Sequence, residues 1–340
     1  MLQICVCIKN MVSGQDIKKI LTWRETTMNR QKAAIIGCGF VGASTAFALM
    51  QKGIFSELVL LDADQKKAHG EAADIAHGRP FAHMMQIYAG DYTDIGDCGL
   101  IIITAGAAQK PGESRTALVH KNVEIFKTII PQITAQNFEG ILLIVSNPVD
   151  ILTYAAWKIS GYPKERVIGS GTVLDSARFR YLLSEHLKVD SASVHAMIIG
   201  EHGDSELAVW SGANVSGIPI HDFCEIRGHY DHEQAMEQIY RRVRESAYQI
   251  IEEKGATYYG VAMAVTRIAA ALIRDEGAVL PVSSLMQGEY GLSNLCISVP
   301  AIVGGDGVRQ VLEIPLSEKE NAELMHSAEE LKEILQKIWL

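Results

Sequence analysis

The stretch 33–45, AAIIGCGFVGAST, limits what this chain can fold into more than any other. A short apolar run leads into Gly37, Gly39 and Gly42 at G-x-G-x-x-G spacing, and a helix-length segment follows. The first glycine permits a tight turn, the second lets backbone approach a pyrophosphate, and the third lets helix and strand pack closely. Glycine-rich turns are common, so the spacing alone is a weak signal. Asp62 sharpens it: it lies twenty residues after Gly42 and ends a second apolar run, LVLLD. A plain strand-turn-helix junction does not need an acid there. A dinucleotide does, because a carboxylate accepts hydrogen bonds from an adenosine ribose diol and repels a 2′-phosphate, which favours NAD over NADP. The phosphates would rest on the helix start at Phe40 and Val41, where free N–H groups and the helix dipole favour an anion. FAD shares the fingerprint, so the rest of the site has to discriminate.

The chain then alternates as a doubly wound sheet requires. Strands are expected at 33–36, 58–61, 86–89, 100–104 and 141–145, and helices at 41–51, 65–77 and 119–136. Near Val167 the pattern changes. A helix over 174–187 precedes an apolar strand over 194–199, and 208–220 is broken by Gly212, Gly217 and Pro219. Long helical patterns follow at 233–253 and 259–274, and in the last, 318 to about 338, Leu324, Ala328, Leu331, Leu335 and Ile338 form one apolar stripe. The fold class is therefore α/β: a Rossmann-type doubly wound parallel sheet over 28–170, followed by a mixed α+β substrate and catalytic domain over 171–340. The two halves are expected to pack tightly, since no low-complexity linker separates them. Residues 1–27 read as an N-terminal extension, non-native or disordered, with Met28 a natural start.

With 48% hydrophobic residues in 340 and a formal charge of -9, the chain can build a large core and lacks the basic surface of a nucleic-acid or anionic-membrane partner. No stretch is long and apolar enough to span a bilayer and no signal pattern opens the chain, so a cytoplasmic location is expected. Six cysteines without C-x-x-C pairs or nearby histidines at zinc spacing indicate neither a disulfide framework nor a bound metal.

Polar residues concentrate in 104–115 (TAGAAQKPGESR), 145–150 (VSNPVD) and 171–180 (GTVLDSARFR), beside expected strand ends where ligands of open α/β sheets sit. A fourth stretch, 198–206 (IIGEHGDSE), sets His202 between two acids and two glycines. By itself such a histidine suits a base, a metal ligand, a switch or a plain surface loop. Together the four stretches supply a base, a carboxylate, two guanidiniums and an amide, an inventory that fits hydride chemistry on a carboxylic acid.

These motifs, with SNPVDILTY and KGATYYG (254–260), resemble in type and order those of the lactate/malate dehydrogenase family, in particular its bacterial lactate-specific members. The resemblance runs from Met28 to the C-terminus. It implies an NAD-dependent L-lactate dehydrogenase interconverting L-lactate and pyruvate. His202 would be the general base, Asp175 its orienting carboxylate, and Arg115 the loop arginine that polarises the substrate carbonyl. Arg178 would grip the substrate carboxylate, while Asn147, followed by a candidate cis peptide at Pro148, would bond the substrate oxygen or the nicotinamide side. Thr257 would keep the pocket small. Besides Gly37, Gly39, Phe40, Val41, Gly42 and Asp62, the expected cofactor contacts are Lys67, Tyr92, Gly106, Ala107, Val145, Asn147 and Ser170. Arg180 and His195 match the positions that bind the activator fructose 1,6-bisphosphate between subunits, and a homo-oligomer, a tetramer, is expected. The alternatives are another L-2-hydroxyacid or malate dehydrogenase, or a non-catalytic NAD-binding protein.

Gln109 matches the position facing the substrate C3 group, where malate dehydrogenases carry an arginine; an unpaired second carboxylate there would cost several kcal/mol. Gln109→Arg is expected to raise kcat/KM for oxaloacetate relative to pyruvate, and an unmoved ratio would remove this placement of Gln109.

Overall fold

The computed structural model describes residues 28–107, 115–228 and 232–339. The extension 1–27, Gln109 and the side chain of Arg115 lie outside that description. Strands β1 (Asn29–Ile36), β2 (Glu57–Leu61), β3 (Gln86–Ala89), β4 (Cys98–Ile103), β5 (Ile141–Ile144) and β6 (Val167–Gly169) are all parallel, in the order 3-2-1-4-5-6. Helices α1 (Phe40–Lys52), α2 (Gln65–His77), α3 (Arg115–Thr134) and α4 (Val149–Ser160) connect most of them. The order reverses between β1 and β4, which opens a crevice at the carboxyl ends of these strands.

Along β4, Ile101 and Ile103 join one buried layer while Leu100 and Ile102 join the other, the alternation that a strand covered on both faces imposes. The first layer includes Phe126 of α3, Leu152 of α4 and the apolar stripe Leu324, Ala328, Leu331 and Leu335. The second includes Leu49 of α1 and Val265 and Leu272.

The second half begins with α5 (Val173–Leu187), then short strands β7 (Val194–His195), β8 (Ile198–Ile199), β9 (Leu207–Ala208), β10 (Asn214–Val215) and β11 (Ile218–Pro219). Helices α6 (Ile220–Ile226), α7 (His232–Lys254) and α8 (Tyr259–Ile273) follow. Strands β12 (Ala278–Gln287), β13 (Ser293–Gly304) and β14 (Gly307–Val311) and helix α9 (Glu318–Trp339) complete the chain. A third cluster lies beneath α5 and α7, where Phe179 meets Trp210 edge to face at 4.7 Å.

Three expectations need correction. The single strand expected over 194–199 is two strands in different sheets, because Ala196 and Met197 lead the chain from a partner in β10 to one in β9. Helix α4 and strand β6 were not anticipated. The large sheet is not confined to the first half: β12 pairs antiparallel with β6, through Ser283 opposite Gly169, and β13 and β14 extend it to nine strands.

Candidate active site

Strand β8 delivers His202 to a tightly held loop. Gly200, at φ +94°, exchanges two backbone hydrogen bonds with Ser298 of β13 at 2.8 and 3.1 Å. The next two amides are also held, Glu201 donating to Ser327 Oγ at 2.7 Å and His202 to Asp150 Oδ2 at 2.8 Å. The facing carboxylate comes from the first turn of α5, and two hydroxyls key that helix to β8. Thr172 Oγ1 donates to the Ile198 carbonyl at 2.6 Å, and the Ile198 amide donates to Ser176 Oγ at 2.9 Å. The outcome is a short contact, with His202 Nδ1 2.6 Å from Asp175 Oδ2. Arg178, one turn further along α5, donates from Nη1 to Asp175 Oδ1 at 2.9 Å.

Asp175 is buried, which by itself would raise its carboxyl pKa. The charge and hydrogen bond of His202, joined by Arg178, hold it below the ordinary carboxylate range. For His202 burial works downward, but the charge and hydrogen bond of Asp175, helped by Glu206 and Asp150, raise the imidazole to about 9. Burial pushes Asp150 up to about 6, against the pull of Ser283 and the His202 amide. The dyad thus sits as carboxylate and imidazolium at neutral pH.

Asp175, Arg178 and His202 line a cavity of about 470 Å³, bounded by Asn147 and Pro148 on one side and by Arg244, Tyr248 and Ile251 of α7 on the other. The Asn147–Pro148 peptide is cis, as expected from the sequence. Thr257 lies between α7 and α8 and is not among the residues that line this cavity.

A second cleft, of about 800 Å³, follows the carboxyl ends of β1, β2 and β4. Gly37, Gly39, Asp62, Lys67, Tyr92, Gly106 and Ala107 line it. Asp62 is tied to the glycine turn: Oδ2 accepts from the Cys38 amide at 2.6 Å and Oδ1 from the Asp64 amide at 2.9 Å. The three glycines are there for different reasons. A Cβ on Gly42 would stand 1.9 Å from the Gly37 carbonyl oxygen, and Gly37 itself sits at φ +107°. A Cβ on Gly39 would meet nothing within 4 Å. The chain's own packing therefore leaves room at 39, on the wall of the cleft, and a phosphate group brought against the backbone is what that room fits. Phe40, Val41, Gly42, Val145 and Ser170 do not line the cleft; Phe40 is 70% exposed and stacks on Tyr258 at 5.2 Å between ring centres.

Residues 31–169 match the family model of the lactate/malate dehydrogenase NAD binding domain, and residues 172–339 that of the lactate/malate dehydrogenase alpha/beta C-terminal domain. The chain belongs to the lactate/malate dehydrogenase family. Its relatives in that family include the L-lactate dehydrogenase of Acetivibrio thermocellus, 53% identical over 305 residues covering 90% of this chain and 96% of the relative. L-lactate dehydrogenase 1 of Clostridium acetobutylicum is 51% identical over 308 residues, covering 91% and 98%. Among solved structures, the minor L-lactate dehydrogenase of Enterococcus mundtii in its ligands-bound form superposes with a TM-score of 0.89 at 43% identity, covering 93% of this chain and 100% of the other. Family membership makes residues 31–169 an NAD-binding domain, and the fingerprint cleft lies within it.

Two residues of this dehydrogenase site had no role in the sequence reading. Asn122 of α3 joins the two cavities: its Oδ1 accepts from the Ala107 amide at 2.7 Å and its Nδ2 donates to the Asn147 carbonyl at 2.8 Å. An asparagine at helical spacing between Val119 and Phe126, on the apolar face of a helix, was the available signal. Asp150 closes the stretch VSNPVD, but nothing local shows that it anchors a loop more than fifty residues away. Arg180 points to the other side of α5 from Arg178 and shares a separate cavity of about 510 Å³ with His195. Among the described residues, no helix is long and apolar enough to cross a membrane, and Cys38, Cys98, Cys224 and Cys296 are free and buried.

The glycine geometry separates fold from binding. Gly42→Ala is expected to lower the unfolding free energy by roughly 1–3 kcal/mol in a urea titration, because backbone must shift. Gly39→Ala is expected to unfold within about 0.5 kcal/mol of the parent while weakening NADH binding about tenfold or more in a fluorescence titration. Unchanged NADH affinity in Gly39→Ala would contradict a phosphate at that wall.

Proposed function

We propose that this chain is an NAD-dependent L-lactate dehydrogenase that interconverts L-lactate and pyruvate. The observation behind the reading is the buried Asp175 carboxylate, paired at once with the His202 imidazole and the Arg178 guanidinium on the wall of one cavity. Its bacterial relatives of about half-identical sequence are L-lactate dehydrogenases, which favours a 2-hydroxy acid without a second carboxylate.

NAD supplies the acceptor or donor of the hydride when bound. Everything else falls to the chain. Arg178 has one guanidinium nitrogen on Asp175 and further donors with which to fix the substrate carboxylate, and so to turn the reacting carbon toward the cofactor cleft. The His202 nitrogen not held by Asp175 takes the hydroxyl proton in lactate oxidation and returns it to the carbonyl oxygen in pyruvate reduction. Asp175 fixes the tautomer and balances the imidazolium charge. Asn147 borders the same cavity as a neutral hydrogen-bonding partner, and Gln109 and Arg115 complete the pocket in this reading, while Thr257 stands outside its lining. Lys67 and Tyr92, on the wall of the cleft, contribute to the adenosine end.

We infer also that Arg180 and His195 form an activator site for fructose 1,6-bisphosphate in a homotetramer, with two such surfaces meeting across a two-fold axis. Supporting it, the cavity holds an arginine whose buried Nε has no hydrogen-bond partner among the described residues. A cytoplasmic enzyme fits both substrates.

His202→Asn is expected to lower kcat for pyruvate reduction by about 10²–10⁴ with NADH binding retained; loss of NADH binding instead would make the histidine structural. Because reduction needs the imidazolium and oxidation the neutral ring, kcat/KM for pyruvate should fall above about pH 9 and that for lactate should rise up to it. Fructose 1,6-bisphosphate should lower KM for pyruvate in the parent and not in Arg180→Gln. A pyruvate saturation curve that ignores the bisphosphate in the parent would end the activator reading.

A further inference from the structure

Glu206 is a buried group that the reaction above does not use. It follows His202 by four residues, has 6% of its surface exposed and lines the substrate cavity. One ligating atom each of Glu206, Asp175 and His202 lies within 4.8 Å of the others. Its Oε1 has no hydrogen-bond partner among the described residues. A carboxylate so placed would be a second buried negative charge beside Asp175 with one oxygen lacking a donor, which favours its protonated form.

We propose that Glu206 is the second proton-holding group of this site, positioned so that its own ionisation keeps His202 charged at a pH where Asp175 alone would release it. The inference deepens the proposed dehydrogenase reading and rests on it for its catalytic meaning.

Among the described residues, the charged groups around Glu206 come from three helices and its own loop. Helix α5 contributes Asp175 and Arg178, the start of α4 contributes Asp150, and α7 contributes Arg244 and Tyr240, whose hydroxyl donates to the Glu206 carbonyl. Asp204, on the same loop, accepts from the Tyr248 hydroxyl at 2.8 Å. Burial first and Asp175 second raise Glu206 to about 8, while His202, Arg178 and Arg244 pull the other way. Below that pH the carboxyl is neutral, so Asp175, Arg178 and His202 together have one net positive charge, which suits a monocarboxylate substrate. Above it the new negative charge stands beside the imidazolium and delays loss of its proton. Two groups so close titrate as a linked pair, and replacing one moves the other. In Glu206→Gln the cavity keeps its shape and its neutral form but loses the delaying charge.

The test uses the full chain labelled at histidine Cε1, with the His202 resonance identified by its absence in His202→Asn. In a pH titration by NMR, Glu206→Gln is expected to move the His202 midpoint down by roughly one pH unit. An unmoved midpoint would overturn the proposal. As a second measurement, the parent should lose a protonated-carboxyl infrared band between about pH 7 and 9 that Glu206→Gln lacks, and a parent without such a band would overturn it equally. Neither measurement involves pyruvate, so a parent that failed to reduce pyruvate would sink the dehydrogenase reading without touching these outcomes.

Discussion

The Asp175 carboxylate is the interaction on which the site depends. A lone carboxylate at that depth would be costly, and it is tolerated because a guanidinium takes one oxygen and an imidazole the other. Such a group is unforgiving of distance: at low dielectric, small displacements of either cation change the energy steeply. That accounts for the amount of local structure devoted to holding two short segments still. Thr172 and Ser176 key α5 to β8, the Gly200–Ser298 bridge keys β8 to β13, and Asp150 holds the histidine's own amide. Each is a hydrogen bond between elements far apart in the chain. None touches the reacting atoms.

The two cavities have complementary inventories. The long cleft offers backbone, two acids of which Asp62 is tied to the glycine turn, and room where a side chain would otherwise stand. The shorter cavity is dense in ionisable groups. Asn122 lies between them and bonds both walls through a neutral amide, so the charged site and the nucleotide cleft share a boundary without sharing a charge. A transfer between two bound molecules needs such a junction, rigid and electrically quiet.

Much of this was legible in the chain. Strands covered on both faces read as unbroken aliphatic runs, which is why β1, β2, β4 and β5 emerge from composition alone. The stripe of α9 was readable for the opposite reason, since one of its faces stays wet. Helix α4 escaped because VDILTYAAWKIS is apolar around most of its circumference and starts after a proline with no side-chain cap. Strand β6 is three residues long, too short for any period to show. The turn between β7 and β8 is made of Ala196 and Met197, which look like strand. The glycine fingerprint with Asp62 was a local pattern and could be read locally. The pairing of His202 with Asp175 across twenty-seven residues was not, and came through the resemblance to a family. The burial of Glu206 and Asp150 depends on which helices cover them, a property no window of sequence contains.

One consequence of the nine-stranded sheet concerns modularity. Strand β6 closes the nucleotide-binding half, yet its outer side is covered by β12 from the other half. Cutting the chain near residue 170 would leave β6 with a bare edge of unpaired amides and carbonyls, flanked by aliphatic residues stripped of α8 and α9. The half that carries the fingerprint matches a family model of its own and still depends on the other half to cover its edge strand. Transplanting it into another protein would require a new edge strand along with the old sequence.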